Sequence, residues 1–425
     1  MNEAGLIDDC FLHDKDRLRH DEALKLLQER LSPITGTEAV SIGAALGRVA
    51  AKDIVAPHNV PLHTNSAVDG YAFAHCDLGP KPFPVSLRIA AGDLSPPALK
   101  TGTAARIFTG APMPTSSDTV AMQEDCVVHE SKVSVPNGLR KGANCRLAGE
   151  DLKADEVVVQ RGKRLSAADL AALASIGAAE IPVHERLRII CFSSGNEMRR
   201  VETSSEPLQI GEVYDTNWPL LSSLMKSLPV DVTDGGVLGD TATQVSSAIK
   251  AAAGNFEIIL TTGGASRGEE DHMLATLDNL GKRHLWQLAL KPGRPMMFGQ
   301  IPRPGSTDCL FFGLPGNPVA AMVCFLLYAR PALLHLAGAD WKTPPRFALP
   351  ADFEVTNKKP DRREFLRGIL DQDENGTMRV KKFPRDGSGL ISSLREADGL
   401  IELPEEMTEL EKGTPVNFIP FSSFD

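Results

Sequence analysis

The 425-residue sequence predicts a multidomain α/β plus β protein, and three observations carry that prediction. Apolar strand-like runs alternate with helical periodicity over 185–340, the pattern of an open, mainly parallel sheet. Short strands broken by Pro, Gly and Asp fill 51–144. A second set of short strands begins past Trp341. A chain of this length holds two to four domains, at roughly 100–200 residues each. The expected division is a flexible lead-in at 1–19 and a split helical or mixed linker domain from 20–50 and 145–184. An inserted β-rich domain occupies 51–144, a central α/β domain 185–340 and a C-terminal β-barrel-like domain 341–425.

Taken in order, Leu24, Leu27 and Leu31 recur at helical spacing after Asp21, and Pro33 stops the helix. A second helix is expected around 42–50. Small polar residues then crowd around Asp69 before the alternating Tyr71 and Phe73; a polar turn with Asp69 and Gly70 at its corner is the plain reading. Strands are expected at 85–90, 104–108, 119–122, 127–129 and 132–135. Thr109 opens a loop, TGAPMP, that is either structural punctuation or ligand-facing. Ser166 and Asp169 form a capping-box start to an Ala/Leu helix that Gly177 can terminate. That helix is expected to pack with the N-terminal one.

In the central domain, a buried strand at 187–192 ends in SSGNE, which carries Glu197. Asp215 lies in YDTN, which opens a helix through Leu228, and a further helix spans 243–253. The strand at 256–260 empties into TTGGASRGEED, residues 261–271. Gly263, Gly264 and Gly268 there allow main-chain N–H groups to approach an anion, with Ser266 among them. The acids that follow, ending at Asp271, repel phosphate unless a divalent cation lies between. The bland alternative is a strand–turn–helix whose acidic start suits the helix dipole. Ligands of parallel α/β sheets bind at the carboxyl ends of strands, so Glu197, Asp215 and Asp271 are expected on one rim. Lys291 and Arg294, stiffened by Pro292 and Pro295, suit a tetrahedral oxyanion, or else a solvated turn. Pro315 and Asn317 lie in GLPGNP, which leads into an apolar helix whose N-terminus could offer N–H groups to an anion. Beyond it, strands are expected at 346–353, 364–370, 378–382 and 416–420. Arg367 and Ser388 stand in the two polar loops of specific appearance there, which read equally as a strand with a salt-bridging arginine and a turn.

Composition narrows the function. Hydrophobic content of 42% and charged content of 24% are ordinary globular values. A net charge of −10 argues against nucleic-acid binding, while a local basic cluster can still hold an anion. Seven scattered cysteines without a CxxC pair suit reduced thiols and a cytoplasmic protein. The charged N-terminus has no signal-peptide core, and the apolar run at 319–329 is too short for a bilayer, so no membrane partner is expected.

Ten segments together have a familiar order: NSAVDGYA, FTGAPMP, GEDL, SSGNE, YDTN, TTGGASRGEED, LKPGRP, GLPGNP, FLRG and GSGLISSL. On these the chain resembles the molybdopterin molybdenumtransferases, the molybdenum-insertion proteins that include the E domain of gephyrin. The resemblance implies a molybdopterin-binding fold for the central domain. It also implies an elongated four-domain homodimer whose site is completed by the partner's β domain. The implied reaction converts adenylated molybdopterin and molybdate into molybdenum cofactor and AMP, assisted by Mg²⁺. The adenylyltransferase and acceptor molybdoenzymes are the implied partners.

Residue by residue, the resemblance makes Glu197, Asp215 and Asp271 the metal and catalytic acids, with Ser266 in the glycine loop near the pterin phosphate. Lys291, Arg294, Arg367 and Ser388 match molybdate-side positions, and Pro295, Pro315 and Asn317 fall in matching cofactor-facing loops. Asp69, Thr109 and Asp151 match polar positions on the domain-swapped side. The chain departs from the family pattern at Asn196 (usually Asp), Arg267 (Val or similar), Arg294 (Lys) and Ala320 (Ser). Arginine keeps the charge but changes donor geometry. These departures leave an alternative, a diverged member that binds molybdopterin or molybdate with little catalysis. The sheet domain alone also resembles molybdopterin adenylyltransferases, against which the flanking domains speak.

Overall fold

Six strands form the central sheet of the computed structural model, which describes residues 17–202, 206–239, 241–264 and 272–424. Their order is Val230–Leu238, Leu187–Ser194, Ile258–Thr262, Cys309–Leu314, Pro295–Ile301 and Lys282–Gln287. The first four run parallel, and Pro295–Ile301 runs antiparallel to both its neighbours. Alternation along Leu187–Ser194 sends Leu187, Ile189 and Cys191 into one core and Ile190 and Phe192 into another. Burial on both faces is why these strands read as continuous apolar runs. Asn217–Met225 covers one face, and Ala242–Asn255 with His272–Leu280 covers the other.

The helix that follows GLPGNP runs from Pro318 to Leu336, longer than the sequence suggested, and widens to a π turn over Phe325–Ala329. Its length and apolarity would cross a bilayer, yet 83% of it is buried inside the protein. The N-terminal helix His20–Arg30 packs beside it, with Ala23, Leu27 and the following Leu31 in the same core. Tyr328 from the π turn meets His20 Nδ1 at 2.6 Å.

The expected pairing of the N-terminal helix with the later Ala/Leu helix is therefore not seen. Ala167–Ser175, capped as expected by Ser166 and Asp169, packs instead with Ala45, Val159, Ile181 and Val183. Strands close that region: Thr37–Ser41 pairs with Glu180–His184, and Ile54–Val55 with Val157–Val159. Of the helix expected around 42–50, only the single turn Ile42–Ala44 forms, since Gly47 takes a positive φ of 73°.

The segment between these strands folds as a sheet ordered Thr119–Met122, Gly70–Phe73, Ala104–Ile107, Phe83–Ile89, Lys132–Ser134 and Val127–His129. The C-terminal sheet runs Leu290–Lys291, Arg363–Gln372, Gly399–Leu403, Pro415–Pro420 and Phe347–Pro350, with Met378–Lys382 on Arg363–Gln372. A bridge from Ala351 to Val380 curls it back on itself. Its first strand belongs in sequence to the central domain, and pairs parallel in the register Leu290 to Arg363 and Lys291 to Glu364.

Candidate active site

A cleft of about 1270 Å³ lies where the central sheet meets the C-terminal domain. Its first wall comes from strand exits. Ser194, Gly195 and Glu197 leave one strand, Gly263 and Gly264 the next, and Pro315, Gly316 and Asn317 a third. Gly263 has φ of 81°, and a Cβ there would stand 2.8 Å from the Ser194 carbonyl oxygen. Its N–H donates to the Leu314 carbonyl at 3.1 Å, so the three exits touch through backbone. Asn217 fixes the floor by donating its side-chain amide to the Gly316 carbonyl at 2.7 Å.

The facing wall is cationic: Lys291, Arg294, Lys359, Arg362 and Arg367 line it, with Arg17 and with Asp361 and Asp386 between them. Buried Glu364 orients two of these cations. Its Oε2 accepts from Lys291 Nζ at 3.2 Å, and its Oε1 from Arg362 Nε and Nη2 at 2.9 and 2.6 Å. Gly293, between Lys291 and Arg294, has φ of 110°, and a Cβ there would collide with Cys324 Sγ. Arg367 is buried, which lowers its pKa. It donates to Ser393 Oγ at 3.2 Å and to the Arg385 carbonyl at 3.1 Å, so it braces the loop that presents Ser388. The Ser388 carbonyl accepts the Val319 N–H at 3.0 Å. Since Pro318 has no N–H, the helix N-terminus is partly occupied rather than the bare anion seat the sequence suggested.

The structure brings Glu197, Gly263, Gly264, Lys291, Arg294, Pro295, Pro315, Asn317, Arg367 and Ser388 to this cleft, with Ala320 beside them. Ser266, Arg267, Gly268 and Asp271 lie outside the described residues. Asp215 departs from expectation: it is buried and does not line the cleft. Its Oδ1 accepts the N–H groups of Asn217 and Trp218 at 2.9 and 3.2 Å, and its Oδ2 accepts from Ser193 Oγ. The helix N-terminus captures this carboxylate, a pull that sequence spacing does not reveal. Asp69 and Thr109 lie together in turns flanking the inserted-sheet strands Gly70–Phe73 and Ala104–Ile107, and neither lines the cleft. The Thr109 N–H and hydroxyl donate to Asp69 Oδ1 at 2.8 and 2.9 Å, and these donors hold its carboxyl below the usual range.

Among the described residues, no group of three or more His, Cys, Asp or Glu side chains is placed to hold a metal. The exposed Glu197 carboxylate does fit magnesium, which takes one or two protein carboxylates and fills its shell with water and substrate phosphate. Asp215 does not fit, since both its oxygens already have protein donors. Sequence reasoning missed Arg17, Lys359, Arg362, Glu364 and the floor-setting amide of Asn217. The charge density of 358–364, KKPDRRE, was the available signal for three of them.

Residues 18–177 match the MoeA N-terminal region (domain I and II). Residues 191–335 match a probable molybdopterin binding domain, and 352–421 the MoeA C-terminal region (domain IV). The chain is 35% identical over 408 residues to a molybdopterin molybdenumtransferase of Haemophilus influenzae, covering 95% of this chain and 98% of the relative. It is 30% identical to one of Nostoc sp., covering 92% and 90% respectively. A crystal structure of the molybdopterin biosynthesis moeA protein from Pyrococcus horikoshii OT3 is similar, with a TM-score of 0.80 and 26% identity over 96% of this chain and 100% of that one.

Proposed function

Because this chain belongs to the molybdopterin molybdenumtransferase family, and so is a transferase of molybdenum cofactor biosynthesis, we propose that it transfers molybdate onto adenylated molybdopterin with magnesium-assisted release of AMP. One observation supports this most: a single cleft sets a glycine-built wall bearing Glu197 opposite a wall of Lys291, Arg294, Lys359, Arg362 and Arg367. Its volume of about 1270 Å³ suits a ligand of dinucleotide size.

In this reading the pterin phosphate lies along Gly263 and Gly264 and against Pro315 and Asn317, with Ser266 and Gly268 as further candidates from the sequence alone. Molybdate, a tetrahedral dianion, is held by Lys291, Arg294 and Arg367 beside Ser388, because charge-assisted donors are what such an anion requires. Bound magnesium would neutralise the phosphoanhydride and polarise it for cleavage. Glu197 would hold that cation from the protein side, with Asp271 as the further candidate ligand from the sequence. The residues then act by positioning and charge neutralisation, as phosphoryl transfer demands. Asp69 and Thr109 do not line the cleft of their own chain, so we assign them to the cleft of a partner subunit in a homodimer. Cys76, Cys126, Cys145, Cys191, Cys309 and Cys324 are free thiols, which fits a cytoplasmic protein that receives substrate from an adenylyltransferase and passes product to acceptor molybdoenzymes.

The test is a defined assay with adenylated molybdopterin, molybdate and Mg²⁺, reading AMP release and reconstitution of an apo-molybdoenzyme. Molybdate-dependent release of AMP is expected, and its absence would sink the reading. Ala320 on the cleft wall, where a hydroxyl is missing, favours the second reading of a molybdopterin or molybdate carrier. Saturable binding of adenylated molybdopterin without AMP release would decide for that one.

A further inference from the structure

We infer that Arg200 is the built-in counter-cation of Asp215, occupying the place a divalent metal would otherwise take, so that Asp215 anchors the fold and ligates no metal in this chain. The Arg200 side chain is only 10% exposed, and that of Asp215 is fully buried. Arg200 Nε lies 3.4 Å from Asp215 Oδ2, and Nη2 donates to Asp234 Oδ1 at 2.8 Å. The guanidinium sits 5.1 Å over the Trp218 ring. Arg200 Nε and Nη1 are buried without a hydrogen-bond partner among the described residues.

A guanidinium that leaves buried donors unpaired is an unfavourable choice for stability alone. It makes sense as charge compensation. Two carboxylates converge on it from different elements, Asp215 before the Asn217–Met225 helix and Asp234 on the Val230–Leu238 strand. Two negative charges face one positive charge and the partial positive end of a helix, worth roughly half a charge. A divalent ion would balance the same pair of carboxylates, which is why removing the guanidinium should expose a metal site. The arrangement matters for the cleft because Asn217, at the start of the anchored helix, holds the Gly316 carbonyl. The floor is thus set without metal, and a catalytic cation is left to Glu197 and the substrate. The inference rests on the proposed function only for that last assignment.

The experiment counts Mn²⁺ bound per full-length chain by electron paramagnetic resonance, with melting temperature read in parallel. Arg200→Met is expected to bind one Mn²⁺ more than the parent protein and to gain thermal stability on metal addition. Arg200→Lys and the double variant Arg200→Met with Asp215→Asn are expected to show the parent's count. Asp215→Asn alone is expected to leave that count unchanged. An Arg200→Met count equal to the parent's would overturn the inference, as would loss of an ion in Asp215→Asn. Should Arg200→Met fail to fold, the Asp215→Asn count decides by itself. Failure of the proposed function appears elsewhere, as an absence of AMP release by the parent protein, and leaves these counts untouched.

Discussion

The two walls of the cleft are made and supported differently. Gly263, Gly264, Pro315 and Gly316 shape one wall with backbone, and behind it stands the apolar helix Pro318–Leu336. A buried polar contact in that support, His20 with Tyr328, is kept uncharged: burial, then the nearby Arg363, pushes His20 down to about 4. The opposite wall presents cations, and behind it stand buried acids. Arg363 joins Asp21, Glu402 and Glu405 at 2.8 to 3.0 Å, while Glu364 holds Lys291 and Arg362. One wall thus depends on shape and the other on paired charge, and perturbations should separate them.

The largest effect is expected on the charged side. Arg363→Met leaves buried Glu402 and Glu405 without a shared partner and should lower unfolding stability by about 3–5 kcal/mol in urea titrations. A loss under 1 kcal/mol would show that the network contributes little.

Next comes the pH response of the neutral side. As pH falls through 6.5, an unfolded His20 takes up a proton that the folded one refuses until about pH 4. Stability is therefore lost across that window. Relative to His20→Gln, the parent should lose up to about 3 kcal/mol between pH 7 and 4, a shift of one pKa unit being worth about 1.4 kcal/mol. A stability difference that stays flat with pH would refute the burial argument.

Gly293→Ala should cost about 2 kcal/mol through backbone strain and collision with Cys324. In a Cys324→Ala background the collision part should vanish while the strain remains. Equal costs in both backgrounds would mean the sulfur is not the obstacle. The smallest change is expected for Glu364→Gln, which frees Lys291 and Arg362 without removing a cation. The KM for molybdate should rise roughly tenfold with kcat nearly unchanged, about 1.4 kcal/mol of lost preorganisation. A lower KM would mean that charge outweighs orientation.

Much of this contrast was legible in the sequence where chemistry is local. Gly263, Gly264, Lys291 and Arg294 announced a backbone-lined turn and a cationic loop by type and spacing alone. The apolar runs at 187–192 and 256–260 marked the doubly covered strands, which the structure places at Leu187–Ser194 and Ile258–Thr262. What stayed hidden depends on partners distant in sequence. Asp215 read as a metal acid because nothing nearby shows that Ser193 and Arg200 enclose it. Glu364 read as a strand residue because its cations come from both domains. The N-terminal helix followed its Ala23, Leu27 and Leu31 stripe to a core 300 residues away in sequence, about which periodicity is silent.

Leu290–Lys291, the short segment that crosses into the C-terminal sheet, limits how the mouth can open. Its neighbour Ala289 accepts the Arg363 N–H at 2.9 Å, and the pairing sits beside the cations themselves. Swinging the C-terminal sheet outward would have to unzip this seam before widening the gap. Admission of a bulky substrate should therefore proceed by rearranging side chains around a hinge-free frame, with the Arg363 amide among the slowest in the region to exchange with deuterium.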